Sequence, residues 1–294
     1  MDSFEGKLAV ITGGGTGMGR ALAELLAGSG AHLALCDVHQ ANLDETVERC
    51  RAIDGKIRIS TFLCDVSDAD QVNAFRDATC ADHETDSVNL LFNNAGIGAT
   101  VSFLDQSPEA VASWERTFAV CWDGVYLCSR AFLPLLVASS EGHIVNTSSV
   151  NGFWASLGPN RTHTSYAAAK FAVRGFTEAL ITDLRLNAPH VSASVVMPGH
   201  IGTEIVANSR RVLVGEVTAQ AGEASASFRN EAPTTAVQAA QVILDGVRAN
   251  QWRILIGEDA HVLDGMVRDR PEEAYEQSFV DELHTLGVFQ GLLG

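Results

Sequence analysis

A tyrosine and a lysine stand four residues apart in the sequence YAAAK at residues 166–170, at the start of a helical pattern. At this spacing two side chains project from the same face of a helix. The pKa of a phenol is about 10 in water, so an isolated tyrosine exchanges protons poorly at neutral pH. A nearby ammonium group stabilises the phenolate and lowers that pKa. Tyr166 and Lys170 are therefore candidates for acid–base catalysis, although the same spacing often occurs by chance.

Hydroxyl side chains precede this pair, where a predicted strand ends in the sequence Asn146-Thr147-Ser148-Ser149. The carboxyl ends of parallel strands meet at one edge of a sheet, and open α/β sheets bind their ligands there. A serine hydroxyl at that edge can donate a hydrogen bond to a substrate oxygen as negative charge develops on it. Of the two serines we favour Ser149.

A second informative segment is TGGGTGMGR at residues 12–20, between a predicted strand and a predicted helix. Its glycines allow a tight turn and the close approach of a pyrophosphate, whose charge then lies at the helix N-terminus. A glycine cluster alone also fits an ordinary turn, but the strand before it and the helix after it favour a dinucleotide site. The residues predicted to contact the cofactor here are Gly13, Thr16, Gly17, Met18 and Gly19.

An acidic residue, Asp37, ends the next predicted strand. A carboxylate there can accept hydrogen bonds from both ribose hydroxyls of an adenosine, and it repels a 2′-phosphate. Asp37 therefore favours NAD over NADP, although it also fits a turn at the end of a strand. His39 and Arg20 leave NADP open, because either side chain can bind a phosphate. Asp65 and Val66 end the third strand, where the carboxylate can face the adenine amino group.

With these residues the sequence resembles the short-chain dehydrogenase/reductase family over nearly its whole length. Five motifs occur in the family's order, which makes the resemblance specific. They are TGxxxGxG at 12–19, NNAG at 93–96, Ser149, YxxxK at 166–170, and Pro198-Gly199 followed by Ile201 and Thr203.

The resemblance implies a role for each catalytic candidate. Tyr166 would be the general acid for ketone reduction and the general base for alcohol oxidation. Ser149 would hydrogen-bond the substrate oxygen, and Lys170 would lower the tyrosine pKa and hold the nicotinamide ribose. Ile201 and Thr203 would hold the nicotinamide carboxamide. The other cofactor contacts that the resemblance implies are Asn93, Ala95, Gly96, Pro198 and Gly199.

The elements that would position these residues are short apolar runs alternating with longer helical patterns. Nearly continuous apolar runs are typical of strands buried on both faces of a parallel sheet. Their alternation with helices predicts a βαβ series. We predict an α/β fold, a single doubly wound Rossmann-type domain over residues 1–294 with a seven-stranded parallel sheet and helices on both faces. The predicted strands are Leu8–Thr12, His32–Asp37, Ile59–Asp65, Val88–Asn93, His143–Thr147, Ser192–Met197 and Arg253–Ile256.

Two segments interrupt this alternation on the carboxyl side of the sheet. Residues 152–164 form a predicted loop, and residues 204–230 are a helical insertion of mixed polarity that we predict to be a substrate lid. From about residue 258 the chain continues as an acidic extension, which we interpret as a solvated face.

The composition excludes several classes of protein. The 294 residues are 46% hydrophobic and 19% charged, which fits a folded chain with a sizeable core. A formal net charge of −16 argues against nucleic-acid and anionic-membrane partners. The six cysteines form no C-x-x-C pair, so we expect no metal site. No signal peptide or membrane-spanning apolar run is visible, and we expect a cytoplasmic protein.

Two features depart from the family pattern. The family usually has Asn within a VNxxG sequence, where it helps to hold a proton-relay water, and Cys121 stands there in VCWDG. We interpret Cys121 as a packed residue rather than a catalytic thiol and expect a weakened relay in an active enzyme. A sharp loss of turnover on Cys121→Asn would contradict this. The interval from Ser149 to Tyr166 is also longer than usual, and we expect His163 in its loop to be exposed.

The substrate pocket is less specified by the sequence. Its predicted lining is Phe153, Trp154, Leu157 and Val206, although these side chains are about equally suited to packing the loops together. No Arg or Lys stands clearly in position for a charged substrate, which favours a bulky uncharged one.

We therefore predict an oxidoreductase that transfers hydride between NAD and a secondary alcohol or ketone. An NADP-dependent carbonyl reductase and a non-catalytic nucleotide-sensing protein on the same fold are the alternatives. The resemblance also implies a homodimer or homotetramer through the helical segments 114–137 and 165–187.

Overall fold

The computed structural model describes residues 1–156, 162–215 and 219–289. Nine strands occur in these residues: β1 (Leu8–Thr12), β2 (His32–Asp37), β3 (Ile59–Leu63), β4 (Leu90–Asn93), β5 (Gly142–Thr147), β6 (Val191–Pro198), β7 (Ile201–Gly202), β8 (Thr234–Thr235) and β9 (Arg253–Ile256). Seven of them form one sheet in the order β3-β2-β1-β4-β5-β6-β9, and every neighbouring pair is parallel. The predicted seven-stranded parallel sheet is confirmed.

Helices cover both faces of this sheet. Those in the described residues are α1 (Gly17–Gly28), α2 (Gln40–Ile53), α3 (Ala69–His83), α4 (Pro108–Phe118), α5 (Gly124–Ala138), α6 (Thr164–Asn187), α7 (Ile205–Val214), α8 (Ala219–Asn230), α9 (Ala236–Arg248), α10 (Glu258–Asp269) and α11 (Gln277–Thr285). Successive strand residues point to opposite faces. Ala9 and Ile11 accordingly pack with α1 and α9, whereas Leu8 and Val10 pack with α3 and α5.

One long helix runs from residue 108 to 138, because a π-helical turn over Ala119–Asp123 joins α4 to α5. By length and composition it is the one helix in the described part of the chain that could cross a membrane. Such evidence is weak, since the core helix of a soluble protein passes the same test. Val125, Cys128 and Phe132 of this helix are buried against the sheet, so packing accounts for much of its apolar composition.

The predicted lid at 204–230 contains two helices, α7 and α8, which contact each other. The strands β7 and β8 lie on either side of it and pair in parallel as a separate two-stranded sheet. This small sheet holds the two ends of the lid together. The sequence analysis did not predict it.

The acidic extension is only partly a solvated face. Leu263 of α10 and Phe279 and Leu283 of α11 are buried, and they form a third apolar cluster with the loop that follows β5. Asp264 is almost buried and binds the guanidinium of Arg253 in β9. In the sequence these buried apolar residues are separated by acidic residues, so the apolar pattern is not obvious. The extension therefore packs against β6 and the loop that follows β5.

Candidate active site

The three catalytic candidates meet beyond the carboxyl end of β5. Ser149 is the second residue after that strand and caps a 3-10 turn over Val150–Gly152, with its hydroxyl accepting a bond from Asn151 N. Tyr166 and Lys170 lie one turn apart near the start of α6. Lys170 Nζ lies 5.3 Å from the centre of the Tyr166 ring. The sheet edge and the helix thus bring together the residues that the motifs singled out.

Lys170 is held in a fixed position. Its side chain is buried, and Nζ donates a hydrogen bond to the carbonyl oxygen of Thr147 at 2.8 Å. Burial lowers the pKa of Lys170, because the charged form loses hydration. Burial raises the pKa of Tyr166, and the Cys121 thiol adds to this rise, whereas a hydrogen bond with Ser149 opposes it. The site therefore holds a desolvated phenol beside a desolvated ammonium group.

The choice between the two serines has a structural basis. Ser148 Oγ donates to the carbonyl oxygen of Lys170 at 2.7 Å and is almost fully buried, so it fastens β5 to α6. Ser149 is the serine that interacts with the phenol of Tyr166. Its hydroxyl, rather than that of Ser148, is positioned to reach a substrate oxygen.

Cys121 lies in the π-helical turn between α4 and α5. Its side chain is fully buried, and Sγ donates to the carbonyl oxygen of Ile97 at 3.0 Å. A Cβ on Gly96 would lie 3.6 Å from Lys170 Nζ and 3.7 Å from Cys121 Sγ, so the ammonium group and the thiol both lie beside Gly96. Single π-turns within α-helices are often found at functional sites.

A cleft runs along the carboxyl ends of β1, β2, β3 and β4 and reaches Gly96, beside Lys170. It brings together many of the predicted cofactor residues, namely Gly13, Thr16, Gly17, Met18, Asp37, Asp65, Val66, Ala95, Gly96 and Thr203. The lid contributes Val212 and also Ile205 and Asn208, the last two of which the sequence analysis did not single out.

The glycine loop fits a dinucleotide pyrophosphate. Gly13 has a positive φ of 64°, and a Cβ there would lie 2.9 Å from Ala95 Cα, so only glycine suits this position. The loop leads directly into the N-terminus of α1, where backbone N–H groups and the helix dipole favour an anion. Gly19 does not line the cleft, because its Cα packs against the carbonyl oxygen of Gly13.

Asn94, not the predicted Asn93, is the asparagine that borders the cleft. Its Nδ2 donates to the carbonyl oxygen of Thr12 at 3.1 Å and braces the glycine loop. Asn93 is buried and donates to Ser129 Oγ and Asn146 Oδ1 instead. Asn93 is the last residue of β4 and faces the core, so its successor faces the cleft. The alternation of side chains along a strand was the signal that could have identified Asn94.

Asp37 stands at the end of β2 opposite the glycine loop. Its carboxylate accepts hydrogen bonds from Gly15 N at 3.0 Å and from His39 N at 3.1 Å. Burial raises its pKa, although these bonds oppose the rise. Arg20 is engaged elsewhere, since its Nε donates to the Gly15 carbonyl oxygen at 3.0 Å and its Nη1 pairs with Glu45 at 2.8 Å. It therefore anchors the glycine loop rather than presenting a cation to a phosphate.

Asp65 lies at the other side of the same pocket. Burial raises its pKa, but hydrogen bonds from Arg116 and Ser67 outweigh burial and lower the pKa overall. Arg116 comes from α4 and was not predicted to be near the site. The carboxylate is thus held in place by a cation on the cleft wall.

The loop between β6 and β7 is only partly in the cleft. Thr203 borders it, 3.3 Å from the position a Cβ on Gly17 would take. Pro198 and Ile201 are buried, and Gly199 packs against the carboxylate of Asp259. Their side chains do not line the cleft, so any contact they make with a cofactor would come from the backbone.

The predicted substrate residues separate into groups. Phe153 and Trp154 are buried in the cluster formed with α10 and α11, and Trp154 Nε1 donates to the carbonyl oxygen of Ala274 at 2.6 Å. The structure thus favours the packing alternative for these two aromatic residues. Val206 lies on the lid helix α7 and is half-buried. Leu157 lies outside the described residues.

His163 is not an exposed loop residue, contrary to the prediction. Its ring is half-buried with its centre 4.6 Å from that of the Tyr166 ring, and Nδ1 lies 3.0 Å from the carbonyl oxygen of Ala99. His163, the residue before α6, thus places an imidazole ring beside Tyr166.

Comparisons with known proteins agree with this arrangement. A family model described as short chain dehydrogenase matches residues 7–213. SadH of Mycobacterium tuberculosis, named as an oxidoreductase, is 38% identical over 273 residues, covering 91% of this chain and 92% of the relative. Epidermal retinol dehydrogenase 2 of Mus musculus is 35% identical over 199 residues, covering 67% of this chain and 61% of the relative.

Among solved structures, a short-chain dehydrogenase/reductase from Burkholderia phymatum in complex with NAD matches with a TM-score of 0.78 and 32% identity. The match covers 93% of this chain and 95% of that one. The chain belongs to the short-chain dehydrogenase/reductase family, as its motifs predicted. It is an oxidoreductase of that family, and a nicotinamide cofactor is supported by the NAD-bound relative.

Proposed function

We propose that this protein transfers hydride between NAD(H) and a bulky, uncharged secondary alcohol or ketone. The observation that carries the proposal is the juxtaposition of Ser149, Tyr166 and Lys170 next to a cleft that reaches Gly96 beside Lys170 and holds Asp37 further along. Neither half would suffice, because a cleft alone fits a nucleotide sensor and the catalytic residues alone lack a hydride source.

The chain's own residues would move the proton. In reduction, the phenol of Tyr166 donates its proton to the substrate oxygen, and Ser149 Oγ donates a hydrogen bond to the same oxygen as charge develops. The buried ammonium group of Lys170 stabilises the phenolate that remains. Oxidation runs through the same contacts in reverse, with the phenolate as the base. A bound nicotinamide supplies the hydride in reduction and accepts it in oxidation.

Asp37 supports NAD rather than NADP. Its carboxylate stands where the adenosine ribose would lie and would repel a 2′-phosphate. Arg20, the basic residue nearest the glycine loop in sequence, is bonded to the loop backbone and to Glu45. An NADP-dependent carbonyl reductase is the alternative, and it would require either that Arg20 leave both partners or that His39, which lines the cleft, bind the 2′-phosphate.

The substrate class rests on the charges around the catalytic end. Among the described residues of the cleft the one guanidinium is that of Arg116, which binds Asp65 at the far end. The described cation beside Tyr166 is Lys170, whose Nζ is bonded to the carbonyl oxygen of Thr147 rather than presented to a substrate carboxylate or phosphate. The similarity to an enzyme named as a retinol dehydrogenase also supports a bulky, largely apolar alcohol.

Initial rates would test the proposal. NADH and NADPH are each supplied with a panel of small and bulky ketones, and Tyr166→Phe is measured alongside the wild type. Turnover with NADH that is lost in the variant is the expected result. Turnover with NADPH alone would contradict the assignment of NAD, and turnover that survives in Tyr166→Phe would contradict the catalytic assignment. Nucleotide binding without turnover on any substrate would favour the sensor alternative.

A homodimer or homotetramer is part of the proposal. Exposed apolar side chains lie on the helices that the family resemblance identified, including Tyr126 and Val137 on α5 and Phe171 on α6. Burying such side chains between two copies would remove apolar area from water. Light scattering after size-exclusion chromatography should give a mass of two or four chains, and a monomer would contradict this part.

A further inference from the structure

The lid helix α7 lies along the cofactor cleft, and one of its side chains touches the glycine loop. Ile205, Asn208 and Val212 line the cleft from one face of the helix, as their spacing requires. Asn208 Nδ2 donates a hydrogen bond to Thr16 Oγ1 at 2.9 Å. Thr16 is the residue that precedes α1. The amide of Asn208 therefore lies beside the helix N-terminus at which a pyrophosphate would bind.

A second contact sets the direction in which this amide points. Arg211, one turn further along α7, donates from Nη1 to Asn208 Oδ1 at 3.3 Å. A guanidinium group can only donate, so the carbonyl end of the amide faces Arg211 and the amino end faces the glycine loop. Asn208 thus presents N–H donors to the cleft.

The charges of the cleft make such a donor useful. Its described carboxylates are those of Asp37, Asp65 and Glu204. Arg116 is bonded to one of these carboxylates, and Arg20 is bonded to the loop backbone. Within the described lining, a pyrophosphate would therefore meet no unpaired Lys or Arg side chain, and its oxygens would rely on neutral N–H donors. The N-terminus of α1 supplies some of these, and Asn208 lies beside it.

We propose that Asn208 is a cofactor-binding residue that contacts the pyrophosphate from the lid. Its Nδ2 exchanges the hydroxyl of Thr16 for a pyrophosphate oxygen when the dinucleotide binds, which fastens α7 over the cofactor. This inference rests on the nicotinamide cofactor of the proposed function. It requires that Asn208 contribute to the affinity of ligands with a pyrophosphate and contribute nothing to the affinity of adenosine.

The neighbouring residue offers a matched control. Ser209 Oγ accepts a hydrogen bond from Gly98 N at 2.9 Å, and so it ties α7 to the loop after β4. It does not line the cleft. Ser209→Ala therefore weakens the attachment of the lid without removing a donor from the pyrophosphate site. A loss of affinity caused only by a loosened lid would appear in both variants.

Calorimetric titration of wild type, Asn208→Ala, Asn208→Asp and Ser209→Ala with NADH, ADP-ribose and adenosine tests the proposal. Loss of a hydrogen bond to a charged acceptor should weaken NADH and ADP-ribose binding roughly 10- to 100-fold in Asn208→Ala. Asn208→Asp should weaken it further, because a carboxylate would face the pyrophosphate. Adenosine affinity should stay unchanged in all four proteins, and Ser209→Ala should bind NADH within about twofold of wild type.

Three results would overturn the inference. They are unchanged NADH affinity in Asn208→Ala, an equal loss in Ser209→Ala, and a parallel loss for adenosine. Thermal melting of each variant without ligand identifies any variant that is unfolded. If Asn208→Ala is unfolded, the near-isosteric Asn208→Asp alone tests the inference. A wild-type protein that binds neither NADH nor ADP-ribose would refute the proposed function itself, before any variant is compared.

Discussion

The thiol of Cys121 donates a hydrogen bond to the carbonyl oxygen of Ile97, with 3.0 Å between the two atoms. Cys121 belongs to the π-helical turn, and Ile97 lies on the loop after β4 that lines the cofactor cleft. The bond therefore ties the long helix beside Lys170 to a wall of the cleft. The residue that departs from the family pattern thus has a defined structural contact.

Removing this contact should slow the enzyme without inactivating it. A thiol is a weak donor, so Cys121→Ala should lower kcat by about two- to fivefold. Cys121→Ser keeps a donor and should stay within about twofold of wild type. Steady-state kinetics with NADH and a reactive ketone measure both. Wild-type kcat in Cys121→Ala would show that the contact contributes nothing to catalysis.

Tyr166→Phe should lower kcat by at least about 10²-fold, because the variant has no proton to donate to the substrate oxygen. Its affinity for NADH should be unchanged, since the ring remains in place. Fluorescence titration of bound NADH, together with single-turnover rates, separates the two effects. Tyr126→Phe, at an exposed tyrosine of α5, is the control and should behave as wild type.

Asp37→Asn should shift cofactor preference. The amide keeps an oxygen that can accept the bond from Gly15 N while it removes the charge that repels a 2′-phosphate. The ratio of kcat/KM for NADPH to that for NADH should rise by roughly tenfold or more, equivalent to about 1.4 kcal/mol. Asp37→Ala should also weaken NADH binding, because it releases the glycine loop. An unchanged ratio in Asp37→Asn would refute the role assigned to the carboxylate.

His143 should make the protein less stable in mild acid. Burial in β5 lowers its pKa to about 4, and the N-terminal ammonium group adds to this effect. The unfolded chain, with a histidine pKa of about 6.5, then binds more protons than the native state between these two values. Stability contributed by the neutral ring is fully present above the unfolded pKa. About 3 kcal/mol of it should be lost as the pH falls from 6.5 to 4.

Urea unfolding across this pH range measures the effect. His143→Gln keeps a polar group toward Ser194, whose Oγ lies 2.7 Å from His143 Nε2, and removes the titration. The fall in the free energy of unfolding with decreasing pH should be shallower in this variant. His261→Gln, at an exposed position, is the control. Equal slopes for wild type and His143→Gln would contradict the prediction.

Trp154→Phe should destabilise the protein by about 1–3 kcal/mol, because it leaves the buried carbonyl oxygen of Ala274 without its donor. The hydroxyl of Tyr275 accepts a hydrogen bond from Ala155 N in the same loop at 3.1 Å, but the Tyr275 side chain is exposed. Tyr275→Phe should therefore cost less than about 0.5 kcal/mol. Equal effects of the two changes on the free energy of unfolding would show that the buried bond between Trp154 and Ala274 does not stabilise this loop.

The sheet was predictable because its strands are buried on both faces. Nearly uninterrupted apolar runs such as Leu8–Thr12 and His32–Asp37 appear at their predicted bounds. The catalytic candidates could also be predicted, since Tyr166 and Lys170 are close in sequence and lie on one helix. Local patterns determine both features, so they can be recognised without knowledge of the tertiary contacts.

Contacts between segments that are distant in the sequence were harder to predict. Trp154 looked like a substrate residue because nothing near it in sequence reveals that α11 will cover it. The engagement of Arg20 with Glu45 and the approach of Arg116 to Asp65 likewise depend on how separate helices pack. The strands β7 and β8 have two residues each, too few to produce a periodic pattern.

The bond between Trp154 and Ala274 also has a consequence for biosynthesis. Its partners are separated by 120 residues along the chain. At a synthesis rate of about 5–20 residues per second, roughly 6 to 24 s pass on the ribosome between the two. For most of that time a nascent chain contains Ser149, Tyr166 and Lys170 but leaves the indole of Trp154 uncovered. The loop after β5, encoded in the middle of the gene, can therefore complete its packing only after Ala274 has been synthesised.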